Sequence, residues 1–132
     1  MIRFSRLFLI CVGFALLPLP SLADTSSPDL HFVVNITPRL LGGVPWTGEL
    51  TFRVSPDGII NGTYKSTSVK PDPFYGKIIT VTGALSQKNI RLEFGLRGNF
   101  AVDGTYEPGV GIVGTALSAR GAWYDFVAKQ VK

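Results

Sequence analysis

Apolar and polar residues alternate along most of this chain in short runs, and glycine, proline or asparagine separates one run from the next. From Leu30 to Thr37, Phe32, Val34 and Ile36 fall on one face and His31, Val33 and Asn35 on the other. From Trp46 to Ser55, Leu50, Phe52 and Val54 oppose Glu49, Thr51, Arg53 and Ser55. A period of two marks a strand with one buried face. Pro56-Asp57-Gly58 predicts a tight turn, because glycine accepts the positive φ such turns require. Ile60, Gly62 and Tyr64 then point inward, and Ile59, Asn61, Thr63 and Lys65 outward.

The same pattern continues to the end. Lys77–Ser86 carries Ile79, Val81, Gly83 and Leu85 on one face. After Gln87-Lys88-Asn89, the residues Ile90, Leu92, Phe94 and Leu96 alternate with Arg91, Glu93 and Arg97. Gly98-Asn99 predicts the next turn. Phe100, Val102, Gly104 and Tyr106 form the inner face of Phe100–Glu107. Gly111–Ser118 and Trp123–Val131 complete a predicted set of eight strands. Two of them repeat one motif: Ile60–Lys65 reads INGTYK and Val102–Glu107 reads VDGTYE. No stretch of this region has helical periodicity.

Short links make consecutive strands antiparallel neighbours. Eight of them in an up-and-down order close naturally into a single β-barrel, which removes exposed strand edges. A two-sheet β-sandwich is the alternative. The glycines inside the strands suit either, since each marks a bend or a close approach of backbone. A lipid-facing barrel would also alternate, but most runs here are shorter than the roughly nine to eleven residues a tilted membrane strand needs.

The first residues follow a different rule. Arg3 and Arg6 precede an apolar run from Leu7 to Leu17, Pro18 and Pro20 end it, and Ser21-Leu22-Ala23 offers a small-x-small site. The run is too short for a comfortable membrane span and has the layout of a Sec-type signal peptide. Cleavage is expected after Ala23, leaving a flexible arm at Asp24–Asp29 and a barrel domain over residues 30–132. The mature chain would be periplasmic or otherwise secreted, with no integral membrane segment. It would lose Cys11, the one cysteine, and two of the thirteen basic residues, which lowers the net charge from +4 to +2. So small a charge, scattered singly, gives no footprint for nucleic acid.

Composition also limits the chemistry. One histidine and no mature cysteine leave no set of ligands for a structural zinc and no Cys–His pair. His31 is the sole candidate base, and no nucleophile motif accompanies it. Asp57, Asp103, Glu107 and Asp125 lie at turns or on outward positions, where carboxylates are solvated. No glycine-rich phosphate loop precedes a helix. The expectation is a non-enzymatic protein with no metal and no cofactor.

What remains is a set of aromatics and hydroxyls close to strand ends: Trp46, Tyr64, Ser66, Phe74, Tyr75, Tyr106 and Trp123, with Tyr124 beside them. At a barrel mouth they would suit a small apolar or amphipathic ligand with a polar handle. The same residues have a structural role available, as plugs and caps, because eight strands enclose a space just wide enough for side chains to fill. The irregular stretch Thr67–Gly76 offers an alternative function, a protein-binding module or inhibitor acting through that loop. Ligand, partner and oligomeric state are not encoded in any motif.

One stretch resembles a known family. Trp46-Thr47-Gly48-Glu49-Leu50-Thr51-Phe52, followed by Gly58-Ile59-Ile60-Asn61-Gly62-Thr63-Tyr64-Lys65-Ser66, is similar to the opening hairpin of avidin-type barrels of the calycin kind. The resemblance implies an eight-stranded secreted barrel, with Tyr64 and Ser66 as hydroxyls that hold polar atoms of a biotin-like ligand. It spans about twenty residues. Between Trp46 and Trp123 there is no tryptophan, and a strand precedes Trp46, two departures from the family's pattern.

Overall fold

The computed structural model describes residues 27–40, 43–68, 72–95 and 99–132. The signal segment and the first half of the arm lie outside them, as do residues 41–42, residues 69–71 of the 67–76 loop, and Leu96, Arg97 and Gly98. Eight strands run in chain order: β1 (Leu30–Pro38), β2 (Trp46–Val54), β3 (Ile59–Ser66), β4 (Ile78–Ser86), β5 (Asn89–Phe94), β6 (Phe100–Glu107), β7 (Gly111–Ser118) and β8 (Trp123–Val131). Each pairs antiparallel with the next, and β1 pairs with β8, so the sheet is a closed up-and-down barrel rather than a sandwich. The closing ladder runs from His31↔Val131 to Pro38↔Tyr124.

The alternation in the sequence is the alternation of the wall. Phe32, Val34, Ile36, Leu50, Phe52, Ile60, Val81, Leu92, Val102, Ile112, Phe126 and Ala128 are buried inside. Glu49, Arg53, Lys65, Arg91, Asp103, Glu107, Asp125 and Lys129 are exposed outside. The interior is apolar, whereas the lumen of a lipid-facing barrel is polar; the outer face is mixed, with Val33, Ile59, Val113 and Val127 beside the charges. The outer charges pair across strands: Arg91 with Asp103 at 2.9 Å, Lys88 with Glu107 at 3.2 Å, Arg39 with Asp125 at 3.0 Å. All are solvent-exposed, so each adds little stability. Arg53 reaches Asp29 at 2.9 Å and so ties the last residue of the arm to the barrel wall.

The two ends of the barrel differ. Links from an even to an odd strand are tight: 55–58, 87–88 and 108–110. Links from an odd to an even strand are generally longer: 39–45, 67–77, 95–99 and 119–122. Strand direction collects the first set at one end with the chain's β1 start and β8 finish. The second set gathers at the other, here termed the loop end. Gly58 takes φ 88° in the predicted hairpin, where its N–H donates to the Ser55 carbonyl at 2.9 Å.

The tight-turn end is closed by its own side chains. Phe32 and Phe52 stack with centroids 5.0 Å apart, and Tyr106 stands edge-on to Phe32 at 6.0 Å. The Tyr106 hydroxyl donates to Gln130 Oε1 at 3.0 Å, and Gly109 N–H donates to the same oxygen at 2.9 Å. Among the described residues no buried side-chain polar atom at this end lacks a hydrogen-bond partner.

Candidate functional site

The loop end is built from aromatics at the upper rims of the strands. Trp46 opens β2, Phe100 opens β6, Phe94 closes β5, and Tyr124 is the second residue of β8. Their rings form a chain: Trp46 to Tyr124 at 4.7 Å, Tyr124 to Phe100 at 5.4 Å, Phe100 to Phe94 at 5.5 Å, and Phe94 to Tyr64 at 5.1 Å. Phe74 comes down from the loop between β3 and β4 into the middle of them. Its centroid is 5.5 Å from Phe100, 5.6 Å from Tyr64, 5.9 Å from Phe94 and 6.2 Å from Trp46. Edge-to-face pairs of this kind add roughly 0.5–1.5 kcal/mol each beyond the area they bury.

Phe74 is held there by Asp72, which is buried although it is an acid. Asp72 Oδ2 accepts from Ser66 Oγ at 2.6 Å and from Ser68 Oγ at 2.5 Å. Its Oδ1 accepts from Phe74 N–H at 2.8 Å, an Asx turn that fixes the backbone two residues on. Tyr75 N–H donates to the Asp72 carbonyl at 2.9 Å, and Lys77 N–H to the Phe74 carbonyl at 3.0 Å. A buried carboxylate is stable only when its lone pairs are occupied, and three donors do that here.

Above the aromatic floor lies a cleft of about 560 Å³, open on one side. Trp46, Phe74, Phe94, Phe100, Tyr124 and Ile79 supply its apolar surface. Asn99, Ser118, Lys77 and Arg120 supply polar groups around it. The volume falls in the usual range for small-molecule sites, about 300–1,000 Å³. Among the described residues there is no cluster of His, Cys, Asp and Glu suited to a metal ion. His31 lies outside the barrel, with Nδ1 3.1 Å from Thr51 Oγ1.

Of the seven residues singled out from the sequence, the structure brings Trp46 and Phe74 to this cleft. Tyr64 lies beneath it, fully buried, with its ring against Phe74 and Phe94. Ser66 is engaged by Asp72. Tyr75 projects outward, about half exposed. Tyr106 belongs to the opposite end, and Trp123 lies on the outer wall, where Arg39 sits 6.0 Å from its ring centre. These last two cannot share a mouth with Tyr64. Phe94, Phe100 and Ile79 were legible as core but not as cleft, whereas Tyr124, which the sequence set beside the seven, does line it. Asp72 was missed altogether, although Asp two residues before an aromatic, with serines four and six residues upstream, is the signal of an Asx-turn clasp.

The Tyr64 hydroxyl has no hydrogen-bond partner, the one such buried side-chain atom among the described residues. It lies over Gly48, where an added Cβ would overlap Tyr64 Cζ and Oη. Burial, and then the charge of Asp72, push its pKa far above the ordinary value of 10.0. Tyr64→Phe is therefore expected to stabilise the fold by about 1 kcal/mol near neutral pH, because a desolvated and unpaired hydroxyl is removed. A phenol whose folded pKa is raised contributes fully below the unfolded value and loses that contribution as pH rises past it. Wild-type stability should fall above about pH 10 by up to about 1.4 kcal/mol per pH unit from this group. Urea denaturation at pH 8 and pH 11 checks both points. The variant should show a higher midpoint at pH 8 and a shallower alkaline loss. Some loss should persist, since burial also raises Tyr106, with the Gln130 hydrogen bond opposing it.

No protein-family model matches the chain, and no curated protein sequence matches it. Among solved structures, a redesigned β-barrel superposes with a TM-score of 0.55 at 13% sequence identity, covering 77% of this chain and 90% of that one. At that identity the likeness is one of fold alone, that of a β-barrel.

Proposed function

We propose that this chain is an exported, non-enzymatic β-barrel that holds a small apolar or amphipathic ligand at its loop end. The observation that carries the reading is the asymmetry of the two ends. One is capped by Tyr106 and Gln130 with its polar groups satisfied. The other presents a half-filled aromatic cleft of about 560 Å³. Export to the periplasm or outside the cell is supported by Arg3, Arg6 and the apolar run ahead of Ala23. A role without catalysis is supported by the lone His31 on the outer wall and by acids that pair outward with arginine and lysine. In this reading the avidin-type likeness of Trp46–Ser66 lies in the strand pattern and in the use of one barrel end. The polar handles differ, since Ser66 is spent on Asp72.

Native mass spectrometry of the protein recovered from its host's exported fraction tests this directly. A retained small molecule is expected, and Ala119→Trp should abolish it. Ala119 is an exposed turn residue lining the cleft, so its replacement fills the space without touching the core. A wild-type protein that is empty, and that also fails to bind neutral aromatic dyes, would overturn the proposal. A second reading, a protein-binding module acting through the 67–76 loop, is supported by Tyr75 and by Ile78, which is 72% exposed just after that loop. In that case Tyr75→Ala with Ile78→Ser would abolish partner capture while Ala119→Trp would not.

A further inference from the structure

Resting on the proposal that the loop end holds a small ligand, we infer that this ligand is an amphipathic anion, its apolar body on the aromatic floor and its acidic group between Lys77 and Arg120. The two cations come from opposite sides of the barrel. Lys77 immediately precedes β4, and Arg120 lies in the turn between β7 and β8. In a closed ring of eight strands, β4 stands four strands from β8 in either direction. Both residues nevertheless line the same cleft, and among the described residues no Asp or Glu lines it with them.

Among the described residues neither cation has an ion-pair partner. The ion pairs among the described residues engage Arg39, Arg53, Lys88 and Arg91, with no place for Lys77 or Arg120. Lack of a pair is not decisive alone, since Lys65 and Lys129 on the outer wall also have none. Position decides. Lys65 and Lys129 stand on the outer wall, whereas Lys77 and Arg120, themselves exposed, border an apolar concavity. A bound carboxylate or sulfonate there would be partly desolvated, and charge-assisted hydrogen bonds gain strength under those conditions. Arg39 is not available as a competitor, because Asp125 already holds it. Asn99 and Ser118 add neutral hydrogen-bonding groups at the same rim. Aromatic floor, two cations and no acid together favour an organic acid over a neutral or cationic molecule of equal size.

The test uses two dyes of one ring system, anilinonaphthalene sulfonate and the neutral phenylnaphthylamine that lacks its sulfonate. Binding is followed by dye fluorescence on the purified wild type, on K77Q/R120Q, and on K65Q/K129Q, which removes the same charge elsewhere. The sulfonate is expected to bind about tenfold more tightly than the neutral dye, as one or two charge-assisted hydrogen bonds allow. K77Q/R120Q should weaken the sulfonate about tenfold and leave the neutral dye unchanged, and K65Q/K129Q should alter neither. Equal affinity for the two dyes, or equal losses in the two double variants, would overturn the anion inference while leaving a neutral ligand site intact. A neutral dye whose binding ignores Ala119→Trp would overturn the site itself.

Discussion

Gly62→Ala is expected to be the most damaging single methyl in this protein. Gly62 sits at the middle of β3 on an inward position, opposite Phe52 on one side and Val81 on the other. A Cβ there would overlap the Thr51 carbonyl oxygen and stand 2.5 Å from Phe52 Cβ and 2.6 Å from Phe52 Cα. Two of these atoms are backbone, so no rotamer change relieves the overlap. The strands themselves would have to move apart, and in a closed barrel a shift at one ladder is passed to the others. The expected loss is about 3 kcal/mol or more, a large share of the 5–15 kcal/mol available to a domain of this size. That corresponds to a fall in Tm of at least about 12 °C. Gly109→Ala makes a useful contrast. Gly109 has φ 80° but no heavy atom near its missing Cβ, so only its left-handed backbone is penalised, at about 1 kcal/mol. Thermal melts of the two variants should differ severalfold in their shift. A Gly62→Ala melt within about 4 °C of wild type would mean the barrel wall is far softer than its geometry implies.

The Gly62 case also shows what the sequence disclosed and what it hid. Alternation located seven of the eight strands to within about a residue and ran the fifth on through Leu96 and Arg97, whereas β5 ends at Phe94; among the described residues of every strand whose faces were assigned it placed the inner face correctly, because burial on one side of a pleated strand leaves a period of two. It also marked Gly62 and Gly104 as special through the repeated G-T-Y. What it concealed was which strand ends share a mouth. β3 runs toward the loop end and β6 runs away from it, so the same motif delivers Tyr64 and Tyr106 to opposite ends. Strand parity, which the sequence does contain, would have separated them. Trp123 fell to the same oversight: with Phe126 and Ala128 inward, parity puts Trp123 outside and Tyr124 inside. The clasp formed by Asp72 was hidden for a different reason. It depends on three local hydrogen bonds in an irregular loop, and no periodicity reports those.

That clasp sets the second large effect. Asp72→Ala is expected to release Phe74 from the barrel end and to destabilise the protein by about 2–3 kcal/mol. The substitution strands two serine hydroxyls and one backbone N–H that now converge on the carboxylate, and bonds to a charged acceptor are the stronger kind. Once Phe74 swings away, Trp46 loses an edge-on neighbour 6.2 Å distant and meets water. Trp46 is one of only two tryptophans, and Trp123 is already about half exposed, so a red shift in emission would report Trp46. The floor of the cleft would go with Phe74, and neutral dye binding should weaken at least tenfold, about 1.4 kcal/mol. Asp72→Asn separates charge from geometry. Its carbonyl can still accept from Phe74 N–H, and the serine hydroxyls can rotate to accept from the amide. It should therefore keep most of the dye affinity and show little spectral shift. If Asp72→Ala left both emission and dye binding unchanged, Phe74 would be held by its aromatic contacts alone. If Asp72→Asn matched Asp72→Ala in both readouts, the negative charge, and not the Asx turn, would be what seats the plug.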